Sequence, residues 1–352
     1  MKTFRTMSPE RLDELIAAFP QLRIAVLGDF FLDKYFDVDP AAAEISVETG
    51  KTAHQVARVR HSPGAAGTVV CNLASLAAGT LHAIGFSGDD GESYELRADL
   101  DRLGCRTEHL HREPGRVTPT YLKPRDQDDP SLNGEHQRYD IKNRTATPAA
   151  VQQKIIESLD VLLPRLDAVI VADQVEQSDC GVVTARVREA LTDRAKQHPH
   201  VIFWADSRRR IRQFRGLTIK PNQFEAVGCD EPMPDDSVDL AELLSAMQQL
   251  RAAHGAPICV TRGAQGMVVS DPEPTLVPGV RLDGPTDPTG AGDSATASAV
   301  LALAAGAELP EAALLGNLVA SITVEQLAVT GTARPEQVAD RLRRWQSQQD
   351  HV

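Results

Sequence analysis

The segment 287–293 carries the residue types that could do chemistry on a phosphate group. It reads Asp-Pro-Thr-Gly-Ala-Gly-Asp and precedes an apolar, helix-like stretch over 294–305. Gly290, Ala291 and Gly292 are small enough to let backbone N–H groups point at one spot, and the positive end of the helix would add to them. The segment therefore predicts an anion-binding site.

Asp293 stands in the first turn of that helix, beside the predicted anion. A carboxylate there could orient a hydroxyl for attack on phosphorus and take up its proton. The helix N-terminus predicts a low pKa for Asp293, and hence a weak base. Two other interpretations stay open, because residues 290–295 also match a relaxed dinucleotide-binding fingerprint and could form a plain glycine-rich helix start.

Asn222 and Glu225, which follow the strand-like stretch 217–219, form a second candidate group. In one interpretation Glu225 organises water around Mg²⁺ and Asn222 lies near the phosphates. In the other, the two residues form a capping box at the start of a helix. The spacing alone does not separate these interpretations.

Two shorter patterns give weaker indications. Thr261, Gly263 and Gly266 lie in a hairpin-like turn between two strand-like stretches. Asp29 and Asp33 follow a strand that ends in Gly-Asp, where carboxylates commonly accept hydrogen bonds from the hydroxyls of a polyol. These two acids could equally be solvated loop residues.

Strand-like and helix-like stretches alternate along most of the chain, which predicts a mostly parallel sheet with crossover helices. The strand-like stretches are 23–29, 81–86, 168–172, 201–205, 258–261 and 267–270. Residues 34–62 and 116–144 break the alternation and are rich in Thr, Val, Tyr and Arg. We predict that they form short strands of a separate sheet, a lid over the ligand-binding edge. Two ordinary surface insertions are the alternative.

Composition and charge exclude several classes of protein. The 352 residues carry 37 Lys and Arg against 49 Asp and Glu, a net charge of −12, which disfavours nucleic-acid binding. The run Arg208–Arg210 is too short to reverse this. The five cysteines include no CxxC pair, so neither a disulfide framework nor a zinc site is indicated. Since no secretory signal or bilayer-spanning apolar stretch occurs, we expect a cytoplasmic protein without a membrane partner.

In their order along the chain, these motifs resemble those of the ribokinase/PfkB family of carbohydrate kinases. The matching elements are the glycine element 63–67, the Asn-x-x-Glu element 222–225, the Thr-x-Gly-x-x-Gly element 261–266 and the C-terminal signature 287–293. Within the family the chain is most similar to bacterial heptose-7-phosphate kinases, through residues 28–35, 63–76 and 138–140.

The resemblance implies a ribokinase-like α/β fold: a Rossmann-like α/β/α sandwich with a small β-sheet lid, in one kinase domain over residues 1–352. It implies ATP-dependent phosphorylation of a sugar or sugar-phosphate hydroxyl, with Mg²⁺ and K⁺ as cofactors and a homodimer formed through the lid. A nucleoside or other small-sugar kinase of the family, and a catalytically silent sugar- or nucleotide-binding regulator, are the alternatives.

The resemblance also implies a role for each candidate residue. Asp293 would be the catalytic base, and the anion hole would consist of the amides of Gly290, Ala291 and Gly292. Asp287 would help to bind a monovalent cation, and Glu225 would hold Mg²⁺ through water. The nucleotide and its phosphates would contact Asn222, Glu225, Thr261, Gly263, Gly266 and Asn317. The sugar would contact Asp29, Asp33, Gly64, Thr68, Arg125 and Arg138.

The chain departs from the family pattern in two places. Ala65 and Thr68 stand where the sugar loop usually has a second Gly and an Asn. The run 172–177 lacks the lysine and glycines that heptose kinases carry there, and its Glu176 adds negative charge. A phosphorylated substrate would need cationic partners, and the candidates in or near the lid are Lys123, Arg125 and Arg138.

Overall fold

A seven-stranded parallel sheet forms the centre of the molecule, whose computed structural model describes residues 1–129, 134–327 and 329–349. Numbered in chain order, its strands are β2 (Arg23–Gly28), β5 (Thr80–Ser87), β6 (Cys105–Arg106), β7 (Leu110–Arg112), β10 (Ala168–Asp173), β11 (Ile202–Ser207) and β12 (Thr218–Ile219). They lie in the order β12-β11-β10-β2-β5-β6, with β7 also paired to β5, and every pair is parallel. The predicted parallel sheet is confirmed.

Helices cover both faces of this sheet. In the described residues they are α1 (Pro9–Ala18), α2 (Ala66–Ser75), α3 (Gly91–Arg102), α4 (Ala149–Leu162), α5 (Ala185–Gln197), α6 (Gln223–Val227), α7 (Leu240–His254), α8 (Ala291–Ala304), α9 (Leu309–Thr323) and α10 (Pro335–Gln349). Alternate strand residues enter separate apolar clusters, Ile24 and Val26 in one and Ala25 and Leu27 in the other. The α/β/α sandwich is thus confirmed. None of the described helices is both long and apolar enough to cross a membrane.

A second sheet extends the central one at the β12 edge. Its strands are β1 (Lys2–Thr3), β13 (Cys259–Thr261), β14 (Met267–Val269) and β15 (Thr275–Val277), in the order β1-β15-β14-β13. Single bridges join Ile219 to Ile258 and Asn222 to Thr261, so β13 continues the direction of the central sheet. The predicted hairpin between the strands around 258–270 is therefore present.

The lid is a third sheet of four strands. They are β3 (Phe30–Ile45), β4 (Thr52–Ala65), β8 (Thr120–Asp126) and β9 (Tyr139–Ile141), in the order β4-β3-β8-β9. The prediction of short strands was wrong for the first segment, because β3 and β4 are long strands that pair to form one arm. Strand β2 runs almost directly into β3. Residues 130–133 of the second predicted segment lie outside the described residues.

A buried ion pair links the carboxyl ends of two neighbouring strands. Arg210, after β11, binds both carboxylate oxygens of Asp173, the last residue of β10, at 2.6 and 3.1 Å. Ser207 donates to the same carboxylate at 2.6 Å. Arg210 also donates to the carbonyls of Val175 and Glu176, which fixes the chain after β10. Both charged side chains are buried, so each needs the opposite charge of the other to offset the free-energy cost of its burial.

We predict that Arg210→Met lowers the free energy of unfolding by about 3–5 kcal/mol, because it leaves the Asp173 carboxylate buried and uncompensated. The exposed neighbour provides the control, since Arg209→Met should change stability by no more than about 0.5 kcal/mol. Urea unfolding of both variants measures the difference. Equal losses in the two variants would contradict the role of the pair.

Candidate active site

The predicted anion site lies at the N-terminus of α8. Gly290 caps this helix in the left-handed region, at φ 77°, which favours glycine. A side chain there would also meet two threonines, since its Cβ would lie 3.0 Å from the Thr330 methyl carbon and 3.6 Å from that of Thr68. The Thr68 contact brings the start of α2 against the start of α8.

The backbone amides at this helix start differ from the prediction in one respect. The Ala291 N–H donates to the Pro288 carbonyl at 3.1 Å, so it closes the turn and is not aimed at an anion. The N–H groups of Gly290 and Gly292 make no hydrogen bond to a described residue. The predicted cradle of three amides is therefore reduced to these two.

A buried lysine lies next to the amides. Lys220, directly after β12, forms an ion pair with Asp206 of β11 at 2.8 Å, and a Cβ on Gly292 would lie 3.4 Å from its Nζ atom. Thr296 of α8 donates to Asp206 at 3.3 Å. Burial lowers the pKa of Lys220, but the charge and hydrogen bond of Asp206 outweigh it, so the pKa stays above its ordinary value. Lys220 is thus a fixed cation at the predicted anion site.

Asp293 has a raised pKa, contrary to the low value predicted from the helix N-terminus. Desolvation raises its pKa to about 7, and repulsion by Asp206 adds to this effect. The opposite charges of Lys220 and Arg208 act against the shift, and the charge of Asp33 acts with it. Partial burial and the two nearby carboxylates therefore outweigh the helix end.

The base of the lid contributes Asp33 to the same cleft. Its Oδ1 atom lies 2.9 Å from the Nζ atom of Lys123, which also contacts the hydroxyl and ring of Tyr35. Gly64 lies against this carboxylate, because a Cβ there would come within 2.7 Å of Asp33 Oδ2. Asp33 and Gly64, which were predicted to contact the sugar, thus lie next to each other, and Lys123 joins them.

Ala65 adopts a backbone conformation that glycine favours, with φ 54° and ψ −116°. This is the position where the family usually has its second glycine. The next amide, that of Ala66, donates to the Asp29 carbonyl at 3.0 Å and fixes the start of α2. The chain therefore keeps this strained turn although it has Ala65 in place of the glycine that would adopt the conformation without strain.

Asn222 and Glu225 form the capping box that the sequence left as an alternative. The Asn222 side chain accepts from the amides of Phe224 and Glu225 at 2.8 and 2.9 Å, and Glu225 Oε2 accepts from the Asn222 amide at 2.7 Å. Burial raises the pKa of Glu225 to about 7. The Asn222 side chain is thus occupied by the helix start.

The residues predicted to line the nucleotide lie around the β13–β14 hairpin. Gly263 and Gly266 both have positive φ, and a Cβ on Gly266 would lie 2.2 Å from the Val277 carbonyl. Asn317 donates its side-chain amide to that carbonyl at 3.0 Å. The structure therefore brings these residues together near Thr261, but the amide of Asn317 supports β15.

Asp29 is a correction to the sequence prediction. Its buried carboxylate accepts three backbone N–H groups, from Gln174, Val175 and Val182, at 2.7–3.1 Å. Burial, with repulsion from Asp173, raises its pKa to about 6 in spite of these bonds. Asp29 therefore holds the chain after β10, and this geometry disfavours a role in binding sugar hydroxyls.

The predicted lid arginines point to other partners. Arg138 binds both oxygens of Asp140 at 2.7 and 3.0 Å. Arg125 donates to the Asp129 carbonyl and is in register with Asp37. Asp37 lies four residues beyond Asp33 on β3, about 13 Å at 3.3 Å per residue. The geometry thus disfavours both as a clamp on a substrate phosphate.

Asp287, which was predicted to help bind a monovalent cation, lies just before the helix start. Its carboxylate is buried and accepts the Thr289 N–H at 3.0 Å, while its own N–H donates to the Val324 carbonyl. The described residues contain no group of three or more His, Cys, Asp or Glu side chains that could hold a metal ion. Any cation here would depend on backbone carbonyls as well as on Asp287.

Sequence reasoning assigned no role to Asp206 or Lys220. Lys220 directly follows β12 and Asp206 lies near the carboxyl end of β11, which are positions like those from which Asp29 and Asp33 were selected, so the same pattern could have identified them. The sequence pattern does not reveal that β11 pairs with β12, and this pairing brings the two side chains together.

Comparison with known proteins identifies the family. Residues 23–336 match the description of a pfkB family carbohydrate kinase. The chain belongs to this family. It is therefore a carbohydrate kinase, and the glycine-rich start of α8 lies within the matched residues.

Individual proteins support the assignment. The bifunctional protein HldE of Stutzerimonas stutzeri is 30% identical over 327 residues, which are 90% of this chain and 63% of that protein. The chain thus spans about 63% of the length of the curated relatives that it matches.

Two solved structures confirm the ribokinase-like fold. Arabidopsis thaliana ribokinase, complexed with ribose and ATP, has a TM-score of 0.63 at 16% identity and covers 91% of this chain and 98% of its own. Escherichia coli phosphofructokinase-2, in complex with fructose-6-phosphate, has a TM-score of 0.65 at 16% identity, with coverages of 92% and 98%.

Proposed function

We propose that this carbohydrate kinase transfers the γ-phosphoryl group of ATP to a hydroxyl of a phosphorylated sugar, with heptose 7-phosphate as the leading acceptor. The observation that carries the proposal is the position of the Asp293 carboxylate beside buried Lys220 and the glycine-rich start of α8. The resemblance of residues 28–35, 63–76 and 138–140 to heptose-7-phosphate kinases supports the choice of sugar.

In the proposed reaction an acceptor hydroxyl attacks the γ-phosphorus, the bond to the bridging oxygen breaks, and ADP leaves. The hydroxyl proton passes to Asp293, whose pKa of about 7 makes it a stronger base than an ordinary aspartate at neutral pH. Lys220 and the amides of Gly290 and Gly292 would stabilise the charge on the transferred group. Asp33 would orient the sugar.

The residues present fit a nucleotide that brings its own Mg²⁺. Mg²⁺ is commonly held by phosphates, waters and one or two carboxylates, and supplies charge neutralisation during phosphoryl transfer. Glu225 would be its carboxylate, acting through water. Glu225 Oε2 accepts the Asn222 N–H, which leaves the other oxygen outside the capping box for this purpose.

We predict that Asp293→Asn lowers kcat by about 10²-fold or more, the usual scale for losing a general base. ADP binding, measured by calorimetry, should remain nearly unchanged because the amides and Lys220 are retained. Asp235→Asn, at an exposed position between α6 and α7, is the control for a lost surface charge. A kcat above about a third of the wild-type value in Asp293→Asn would remove the base assignment.

The pH dependence follows from the raised pKa of Asp293. Because the base must be ionised, kcat/KM should fall as the pH drops below about 7. Asp206→Asn removes a negative charge beside Asp293, so it should shift the acid limb to lower pH. The ionisation of a phosphorylated substrate is the same for both enzymes and cancels in the comparison. Superimposable acid limbs would contradict the electrostatic role of Asp206.

We also propose that K⁺ binds beside Asp287, whose buried carboxylate would supply one hard oxygen ligand while backbone carbonyls would have to supply the others. K⁺ should then raise kcat relative to tetramethylammonium at equal ionic strength, and Asp287→Asn should weaken the response. The same rate in both salts would argue against this cation site.

The lid arm supports a homodimer. Beyond the cleft, the β3–β4 arm is exposed on both faces, and its apolar side chains Val56 and Val59 are 42% and 50% exposed. A two-stranded ribbon is marginally stable alone, so a second copy would stabilise it. Sedimentation should give a dimer that Val59→Asp weakens. Val161→Asp, equally apolar and exposed on α4, should leave it intact, and a wild-type monomer would refute the proposal.

A further inference from the structure

A cavity between residues 208–213 and the start of α6 is rich in positive charge, and its volume is about 250 Å³. Among the described residues, the charged side chains that line it are Arg208, Arg209, Arg210, Arg212, Glu225 and Asp230. Four cations thus face two acids, although the whole chain has a net charge of −12. Such a local excess of positive charge attracts an anion.

The cavity adjoins the predicted anion site at the start of α8. Asn222 and Glu225 of the capping box line it. The charge of Asp206 outweighs burial and raises the pKa of Lys220, and the charge of Glu225 adds to this effect. A Cβ on Gly292 would lie 3.4 Å from the Nζ atom of the same lysine. Lys220 is thus close both to the helix start and to a residue that lines the cavity.

The arginines of this cavity differ in how firmly they are held. Arg210 is buried and binds both carboxylate oxygens of Asp173. Arg209 donates to a backbone carbonyl at 3.1 Å. Arg208 has its Nε atom 3.2 Å from Glu176 Oε1, and these side chains are 55% and 43% exposed. Because an ion pair between such exposed groups contributes little stability, Arg208 can exchange Glu176 for a stronger anion at small cost.

Arg208 is also close enough to Asp293 for its charge to act there. Burial is the main cause of the raised pKa of Asp293, and the charges of Asp206 and Asp33 add to it. The charges of Lys220 and Arg208 act against it. When a chain of phosphates enters the cavity, the group next to Asp293 is the terminal one, because the hydroxyl at Asp293 attacks that group. Arg208 therefore suits the terminal phosphate.

We propose that Arg208 binds the γ-phosphoryl group of the nucleotide during its transfer, and that Glu176 holds Arg208 until this group displaces it. The assignment rests on the proposed transfer from ATP and adds a catalytic residue to it. As the acceptor oxygen bonds to the γ-phosphorus and the bond to ADP breaks, charge spreads over the γ-oxygens, and the hydroxyl proton passes to Asp293. The Arg208 guanidinium can donate two parallel hydrogen bonds to these oxygens.

Binding measurements separate the γ-phosphoryl group from the rest of the nucleotide. Calorimetric titrations with Mg²⁺ and either ADP or AMP-PNP, an analogue that cannot transfer its γ-group, give one Kd for each. Arg208→Gln should raise the Kd of AMP-PNP by about 10- to 100-fold, the scale for losing a hydrogen-bonded charge, and that of ADP by no more than about twofold. Glu176→Gln should lower the Kd of AMP-PNP, because it releases Arg208.

Two further variants serve as controls for this titration. Arg209→Gln removes the same charge from the same cavity one residue away, and it should not distinguish AMP-PNP from ADP. Arg208→Lys keeps the charge without the paired donors, so its Kd for AMP-PNP should lie between those of the wild type and Arg208→Gln. An equal loss for both nucleotides in Arg208→Gln, a loss no larger than in Arg209→Gln, or weaker AMP-PNP binding in Glu176→Gln would overturn the proposal.

Kinetics with heptose 7-phosphate as the acceptor add a readout that a merely structural role would not change. Arg208→Gln should lower kcat by about 10²-fold, the scale for losing one group that stabilises transition-state charge. It should also shift the acid limb of kcat/KM to higher pH, because the lost positive charge opposes the raised pKa of Asp293. Arg208→Lys should keep the limb near its wild-type position. A limb in Arg208→Gln that does not move, or that moves to lower pH, would contradict the proposal.

The titration keeps this proposal separate from the proposed function, since it needs no acceptor. A wild-type protein that binds AMP-PNP through Arg208 and phosphorylates no sugar phosphate would support the Arg208 assignment and overturn the proposed acceptor. A wild-type protein that binds neither AMP-PNP nor ADP would overturn both.

Discussion

The buried pair of Asp173 and Arg210 is the interaction on which the chain after β10 depends. Parallel strands end at one edge of a sheet, so β2, β10 and β11 would deliver unpaired backbone groups to the same place. Arg210 binds the carbonyls after β10, and Asp29 binds the amides of the same segment. The wall that carries Glu176 is therefore fixed from two sides, with little dependence on its own sequence.

A second set of charges consists of buried Lys220 and half-buried Asp206 and Asp293, near the start of α8. Asp206 raises the pKa of both Lys220 and Asp293, and Lys220 in turn lowers the pKa of Asp293. Burial alone would neutralise such groups, but Asp206 keeps Lys220 charged. The same carboxylate helps to raise the pKa of Asp293. One side chain thus supports both a permanent cation and a stronger base.

Sequence analysis predicted the features that neighbouring residues determine, and it missed the side-chain contacts that depend on strand pairing. The helix start at 290–293 and the hairpin glycines were found because a turn is encoded locally. Asp29 was assigned to the sugar because its position after a strand says nothing about the amides of residues 174–182, about 150 positions away. Lys220 and Asp206 were missed for the same reason, and the low pKa expected for Asp293 neglected burial and Asp206.

Buried and exposed ion pairs constrain the sequence to different degrees, which explains why the type of reaction is easier to infer from the sequence than the substrate is. Buried charges are costly unless fully partnered, so few arrangements are tolerated around Lys220 and Asp293, and a recognisable motif results. Exposed pairs such as Arg208–Glu176 contribute little and can be exchanged or relocated between neighbouring strands. Acceptor recognition therefore has to be inferred from the geometry of the folded cleft.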